Sequence, residues 1–533
     1  MNKWYKMALA VVAYCGLASA EGLLEQMKLQ PFSKRYSTPQ GTVLEVTGKK
    51  PADGQWENFQ QAMKLDTKAF AGKKVMLECE VSAEGVVRNP RQGFFGVKFM
   101  PAHTSDGVTS YPEGRVGRDG TYDWIWASVI LEVPPEGFDE VLLSLGLQQA
   151  YGTVRYRNLK MSEAPGFKLD TPANYKCEYS DAVRNFPTLR GVMSPGHNKE
   201  LRHVNMTEKD IRDLASWGAN IVRWQYIPDS KLNPEVKDPK GYGELLDDDL
   251  KYLDSLLPVF KECGIYVLYD MHSLPGGRMR DNLILPGSTD LAKYAQGSGA
   301  FHLFYHKGFL DCYLEQWRKI ARHFKDEPQI VGYDLMNEPV QRSVATYELV
   351  QVQYMAAQEI RKIDPEKPIV FESNDAASPE AYRTQLPLPI KNIIYEVHMY
   401  NPSGFTHQGV GGGSRFKADG SPITYPGVVG KKYYDREELK KELSAVRKFQ
   451  QQYGARIYIG EFSAIRWAPG ADKYLEDIIS IFEEYGWDWT YHAFREWNGW
   501  SVEHTEDFDN RKPATYETTR KKALLNGFRN NKK

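Results

Sequence analysis

Cysteine is scarce in this chain. There are five among 533 residues, and beyond Cys15 only Cys79, Cys177, Cys263 and Cys312 remain, far apart. No C-x-x-C and no ligand-like spacing occurs, so a thiolate metal cluster is not expected. Charge of one sign is also missing: 68 Lys and Arg stand against 69 Asp and Glu, a formal −1. Nothing in that balance attracts nucleic acid or an anionic membrane surface. No apolar run reaches the ~20 residues of a membrane span. Catalytic signatures of other classes are absent. There is no H-E-x-x-H for a metalloenzyme, no G-x-S-x-G elbow for a serine hydrolase, and no phosphate-binding glycine motif in strand–turn–helix context.

What is abundant is length and aromatic surface. The chain is 41% hydrophobic and 13% aromatic, with 12 Trp and 32 Tyr, enough to bury more than one ordinary domain. Aromatics suit the stacking of sugar rings and also simply fill cores. The first 20 residues resemble a secretory signal. Lys3 and Lys6 form a basic start, Met7 to Leu17 a short apolar stretch, and Ala18-Ser19-Ala20 a small-x-small cleavage site. A secreted, periplasmic or cell-surface protein beginning at Glu21 is expected, without membrane insertion. Cys15 raises a lipoprotein alternative, which Tyr14 fits poorly.

Residues 22–165 have strand texture, as in Lys74 to Val81, Gly93 to Met100, Trp124 to Val133 and Val141 to Leu147, broken by Pro and Gly turns. This predicts an all-β sandwich. Two runs, Tyr122 to Pro134 and Gly152 to Met161, resemble jelly-roll carbohydrate-binding modules. Tyr111, Trp124, Trp126 and Tyr151 are candidates for a sugar platform. Trp124 and Trp126 share one strand face by period 2, so they share one fate, and core filling is favoured over the platform.

Residues 166–184 read as a linker. From 185 to 533 strands alternate with helices, and eight strands are counted, from Leu189–Met193 to Trp487–Phe494. The pattern predicts an α/β (β/α)8 TIM barrel following the sandwich, with a doubly wound sheet as the alternative. Cys263 and Cys312 would then fall at opposite barrel faces, beyond disulfide reach, while Cys79 with Cys177 stays open. Ser273 to Gly308 and Asn401 to Tyr434 are long connections that would wall the C-terminal face, and Gly411-Gly412-Gly413 is expected to make part of the second mobile.

Two segments carry the chemistry: V-G-Y-D-L-M-N-E-P from Val331 and R-I-Y-I-G-E-F from Arg456. Each is an apolar run ending in a glutamate, which places Glu338 and Glu461 at the catalytic face of a barrel. Two facing carboxylates are what hydrolysis of a glycosidic bond needs. Glu338 would donate a proton, with a carboxyl raised by an apolar cleft and its neighbour, and Glu461 would attack as an ionised nucleophile. Their separation, which decides between retention and inversion, is not readable from sequence.

From residue 186 to 530 the chain resembles glycoside hydrolase family 5, retaining enzymes with acid and nucleophile on the fourth and seventh strands. L-R-G-V-M, N-I-V-R-W, Y-D-M-H-S-L-P-G-G, N-E-P, V-H-M-Y and G-E-F occur in the family's order. The resemblance implies that Arg223 hydrogen-bonds the nucleophile, that His272 lines the sugar site and that Asn337 and Glu338 are the asparagine and acid/base. It further implies that His398 and Tyr400 form the sixth-strand pair and that Glu461 is the nucleophile. The eighth strand departs from the family. His492 or Phe494 falls where a sugar-stacking Trp is usual, and Trp497 is the best substitute. Glu372, Glu496 and Glu503 are secondary candidates.

The sequence therefore predicts a monomeric hydrolase of β-linked polysaccharide or oligosaccharide, cellulose-type β-glucan foremost, needing no cofactor and no metal. The alternatives are a β-mannanase, an exo-acting β-glucosidase, a glycolipid-directed glycosidase, or an inactive carbohydrate-binding protein.

Overall fold

The structure is a computed structural model that describes residues 19–532, except 21, 53, 92–93, 115, 173, 199–203, 229–237, 280–283, 296–298, 412 and 418. Residues 1–18 of the signal-like segment 1–20, and Gly412, therefore lie outside the described residues, while Ser19 and Ala20 pair with Ser162 and Met161. The chain divides into two compact units. One runs to Gly166 and takes in Leu291–Ser298 and Arg342–Ala345, and the other is the rest. Phe167 to Arg184, expected as a linker, groups with the second unit. There Cys177 N donates to Tyr453 O at 2.8 Å and the Tyr179 hydroxyl donates to Ile393 O at 2.9 Å. All four described cysteines are free thiols.

The first unit is built from two antiparallel sheets. One orders Ser33–Thr38, Gly41–Gly48, Ala150–Glu163, Lys74–Arg88 and Gly120–Glu132, and the other Asn58–Lys64, Glu140–Gln148, Gly96–Ser105 and Val108–Ser110. Alternation along the strands sends Val75, Leu77, Cys79, Val81, Ala127, Val129 and Leu131 inward, where they meet Val97, Phe99, Leu143, Leu145 and Leu147. The same alternation corrects the reading of Trp124 and Trp126. Both are half-buried on the opposite, outer face. Arg157 lies over the Trp124 ring at 4.2 Å, and Trp126 Nε1 donates to Glu78 Oε2 at 2.7 Å. Tyr151 stacks on Trp56 with ring centroids 5.8 Å apart, and Tyr111 is exposed.

The second unit contains a closed barrel of eight parallel strands. They are β1 Arg190–Pro195, β2 Ile221–Gln225, β3 Tyr266–Asp270, β4 Ile330–Asp334, β5 Ile369–Glu372, β6 Ile393–Met399, β7 Arg456–Phe462 and β8 Asp488–Tyr491. The surrounding helices are α1 Glu208–Trp217, α2 Pro239–Cys263, α3 Lys307–Phe324, α4 Leu349–Arg361, α5 Arg436–Glu442, α6 Ser444–Tyr453, α7 Ala471–Tyr485 and α8 Thr519–Phe528. Their ends follow local chemistry. Thr207 and Asp210 close a capping box on α1, and Gly218, at φ 93°, stops it. Asp238 caps α2, and Pro239 occupies its first turn. Asp435 caps α5.

Inside the barrel the period of two builds layers. Leu189, Ile221, Leu268, Val331, Val370, Ile394 and Tyr458 form an apolar cluster towards the N-terminal strand ends. One step further along the strands, Arg223, Asp270, Asp334, Glu372 and Glu396 form a fully buried charged layer. Gly460 makes room for that layer, since a Cβ there would lie 1.5 Å from Glu396 Oε1. The next step brings His272, Asn337, Glu338, His398 and Glu461 to the C-terminal face.

Candidate active site

Glu338, His398 and Glu461 each place one donor atom within 4.8 Å of the others, around the mouth of a cleft of about 510 Å³. The same spacing could hold a sugar hydroxyl, a water or a cation between them. The register delivers it: β6 and β7 pair His398 with Glu461 after a bulge. Glu338 sits just past β4 with its backbone at φ 49°, a left-handed conformation unusual for glutamate. Its amide N donates to Glu372 Oε2 at 2.6 Å, so a β5 carboxyl anchors the turn that aims it. Asp375, Ala376 and Ala377 are likewise left-handed, and Asp375 and Ala376 line the cleft beside it.

Arg223 is the hub beneath. Its Nε donates to Asp334 Oδ2 at 2.7 Å, its Nη1 to Glu461 Oε1 at 3.0 Å, and its Nη2 to Glu372 Oε1 at 3.0 Å. Glu396 Oε1 and Asp270 Oδ2 lie 3.2 and 3.4 Å from Nη2. One guanidinium thus faces five carboxyls, and five buried anions around one cation cannot all stay ionised. Burial pushes Glu372 and Glu396 well above the usual carboxylate range, with their acidic neighbours adding to it and Arg223 opposing. Burial likewise takes Asp334 to about 7.

Glu461 goes the other way. Burial alone would raise it, but the charges of His398, His492, Arg223 and His272 prevail and hold it far below the usual range. The Tyr400 hydroxyl, kept protonated first by burial and then by the Glu461 charge, donates to Glu461 Oε2 at 2.8 Å. Glu338 was expected to be raised. Burial and Glu461 do push it up, yet the His398 ring, 3.2 Å away, and Arg278 outweigh them in the open cleft. Asn337 accepts from Arg223 through Oδ1 at 3.2 Å, which leaves its amine to donate to a ligand. His272 Nδ1 pairs with Asp270 Oδ2 at 2.8 Å.

Seven of the eight residues expected at the site therefore converge: Arg223 as buried support, and His272, Asn337, Glu338, His398, Tyr400 and Glu461 as lining. Trp497 is not among the lining residues. It packs between Trp467 and Trp500, with centroids at 6.1 and 5.7 Å, and it is Trp500 that reaches the cleft, together with His492 and Glu496. Phe494 points away, against Trp217. His407 and Gln225 also line the cleft and carry no motif signal. Asp270, Asp334 and Glu396 were legible in principle, since each occupies an inward position two residues along its strand from an inward apolar residue or glycine.

A family model for cellulase, glycosyl hydrolase family 5, matches residues 183–498. The chain belongs to glycosyl hydrolase family 5. It is a glycoside hydrolase acting on β-linked glycans. Endoglucanase C of Acetivibrio thermocellus is 27% identical over 318 residues, 55% of this chain and 86% of the relative. A beta-xylosidase of Phanerodontia chrysosporium is 27% identical over 267 residues, 49% of this chain and 47% of that protein. Endoglucanase Cel5A of Thermotoga maritima superimposes with a TM-score of 0.45 at 19% identity, over 64% of this chain and 96% of that structure. Among the described residues, no helix is long and apolar enough to cross a membrane.

Proposed function

We propose that this family 5 hydrolase cleaves β-linked glucan by a retaining double displacement. One observation carries the reading: a Glu338 oxygen and a Glu461 oxygen lie within 4.8 Å, each also near His398. That is close to the ~5–5.5 Å of retaining enzymes and below the ~6.5–9.5 Å that leaves room for an inverting water. Glu461, ionised and held by Arg223 and Tyr400, attacks the anomeric carbon, and the glycosidic C–O bond breaks as Glu338 passes its proton to the leaving oxygen. Water then attacks the glycosyl ester, giving its proton back to Glu338 and releasing Glu461. The Glu338 side chain is 34% exposed at the cleft. A sugar covering it strips the remaining water and adds to the burial that already pushes its proton affinity up. Once Glu461 is esterified, its charge no longer supports that proton, and Glu338 turns into the base.

The name of the endoglucanase relative favours β-glucan as substrate over mannan, a terminal glucoside or a glycolipid. Export follows the signal-like first 20 residues, and the outer-face position of Trp124 and Trp126 supports a sugar-contacting role for the sandwich. The test is a panel of β-1,4-glucan, mannan and aryl glycosides, with the product anomer read by NMR. Initial release of the β-anomer and a loss of roughly three decades or more in Glu461→Gln are expected. Initial α-anomer, or near-normal turnover in that variant, refutes the mechanism.

A further inference from the structure

His492 occupies the cleft position where the family's stacking Trp was expected, and its two ring nitrogens are both engaged. Nδ1 is in hydrogen-bond contact with the Tyr400 hydroxyl, and Nε2 lies 3.1 Å from Glu496 Oε2. Counting protons fixes the donors. The single Tyr400 hydroxyl proton goes to Glu461 Oε2, an ionised oxygen that can only accept. Tyr400 can then only accept from His492, so Nδ1 carries a proton. Nε2 faces a carboxylate and carries the second. With Glu496 ionised, the network closes on His492 as an imidazolium, 3.6 Å from Glu461 Oε2.

The surrounding groups agree. Glu461 on β7 and Glu496 just beyond β8 face His492 as anions, with Glu338 behind β4 as a further acidic neighbour. His407, from the loop after β6, packs with Trp500 and Tyr400 at 4.9 Å, and burial and the His492 charge push its proton affinity down. Burial disfavours the His492 cation, but Glu461 and Glu496 overcome it and raise its proton affinity. On the far side Glu461 meets Arg223, His398 and His272. Two neighbouring histidines are thus pushed in opposite directions.

We propose that His492, clamped by Glu496, is a positioning residue for the reaction at Glu461: its imidazolium turns the Tyr400 hydroxyl onto Glu461 and keeps the attacking carboxylate ionised in acid. The family 5 enzyme would thereby replace a stacking ring with a charge relay Glu496–His492–Tyr400–Glu461, built for turnover at low pH. This rests on the assignment of Glu461 as nucleophile.

The test compares wild type, His492→Gln, His492→Trp and Glu496→Gln on an aryl β-cellobioside across pH. Gln keeps a neutral donor towards Tyr400, and Trp restores a stacking ring. In all three variants the acidic limb of kcat/KM should move to higher pH by about one unit or more, and kcat should fall at least roughly tenfold at the acid end with a smaller change in KM. An unmoved acidic limb, or a rise in KM alone, overturns the proposal. A second measurement does not depend on turnover: 15N NMR of histidine-labelled protein, assigned with His492→Gln, should show both His492 nitrogens protonated at neutral pH and one lost in Glu496→Gln. A neutral His492 in the folded wild type refutes the inference even if the enzyme is active. Absence of any β-glycosidase activity alongside a doubly protonated His492 refutes instead the functional reading beneath it.

Discussion

Replacing Arg223 by Met removes the one cation that five carboxyls share while leaving a side chain of similar length. The arginine is fully buried, and its contacts to Asp334, Glu461, Glu372, Glu396 and Asp270 run from 2.7 to 3.4 Å. Breaking a buried ion pair by deleting one partner costs about 3–5 kcal/mol when the other charge has no escape. Here the acids can escape by taking up protons, so the cost becomes pH-dependent. A carboxyl whose folded affinity lies above its unfolded value keeps a proton that the unfolded chain has lost. It therefore weakens the fold by about 1.4 kcal/mol per pH unit as pH rises between those two values. In the wild type Asp334, raised to about 7, already acts this way, as do Glu372 and Glu396. Glu461 acts oppositely: its depressed affinity supports the fold above the unfolded value, and that support is lost only as pH falls. Without Arg223, Glu461 loses its permanent counter-charge and the remaining acids are raised further. The destabilisation by Arg223→Met should thus grow as pH rises and reach at least ~3 kcal/mol near pH ~8. Urea unfolding of both proteins over that range measures it. A difference that is flat with pH, or shrinks as pH rises, would refute the account of the buried layer as one cation balancing partly protonated acids.

Tyr400→Phe removes a hydrogen bond to an anion worth roughly 1.5–3 kcal/mol, so kcat should fall about ten- to a hundredfold, and unchanged kcat would detach Tyr400 from Glu461. Glu372→Gln removes the charge and keeps an acceptor for the Glu338 amide, at the expense of the one that receives Arg223 Nη2. Activity should stay within about tenfold of wild type, whereas Glu372→Ala should lose far more, and equal losses would show that Glu372 works as an anion. The pH profile of kcat, which reports the sugar-covered site, should be bell-shaped, with an acidic limb below the usual carboxylate range as Glu461 gains its proton and a basic limb as Glu338 loses its own; a basic limb that survives in Glu338→Ala assigns the acid elsewhere. Trp126→Ala should unfold at nearly the wild-type denaturant midpoint, far from the ~3–5 kcal/mol loss of a core Trp, and binding to insoluble β-glucan should weaken; loss of folding would return that ring to the core.

What the sequence made legible was whatever is local and periodic. Thr207 announces the start of α1, and the apolar runs ending in Glu338 and Glu461 announce strands whose tips share a face. What escaped depended on breaks in the period. The stretch from Glu437 to Tyr453, whose spacing reads as one helix, is two helices that meet at Leu443. β8 stops at Tyr491, although His492 N still bonds Phe462 O of β7 and Phe494 N bonds Met193 O of β1. In the irregular stretch that follows, Trp500 rather than Trp497 reaches the cleft. The two outer tryptophans were misplaced for a related reason. Period 2 says that Trp124 and Trp126 share a face, but which face is set by register, and the pairing slips between Ile125 and Tyr122.

The charged layer shows how depth sorts identical groups into different roles. Glu372, Glu396 and Glu461 all touch Arg223 at 3.0 to 3.2 Å, so the arginine alone cannot distinguish them. The other neighbours do. Glu372 and Glu396 share the same guanidinium nitrogen with Asp270, and although His398 Nε2 also lies 3.6 and 3.1 Å from them, each is surrounded by further acids in a layer sealed from water. Glu461, one step nearer the cleft, has Arg223 Nη1 as its contact and adds Tyr400, His398 and His492 on its other oxygen. Three of its four partners stand on strands or loops that reach the C-terminal face, where a sugar can also reach. A single negative charge in the barrel is therefore cheapest where it is chemically useful, and protons collect one layer below, where no substrate can take them. Placing the acids by strand parity and the donors by loop geometry makes that division, and neither could be read from the Glu residues themselves.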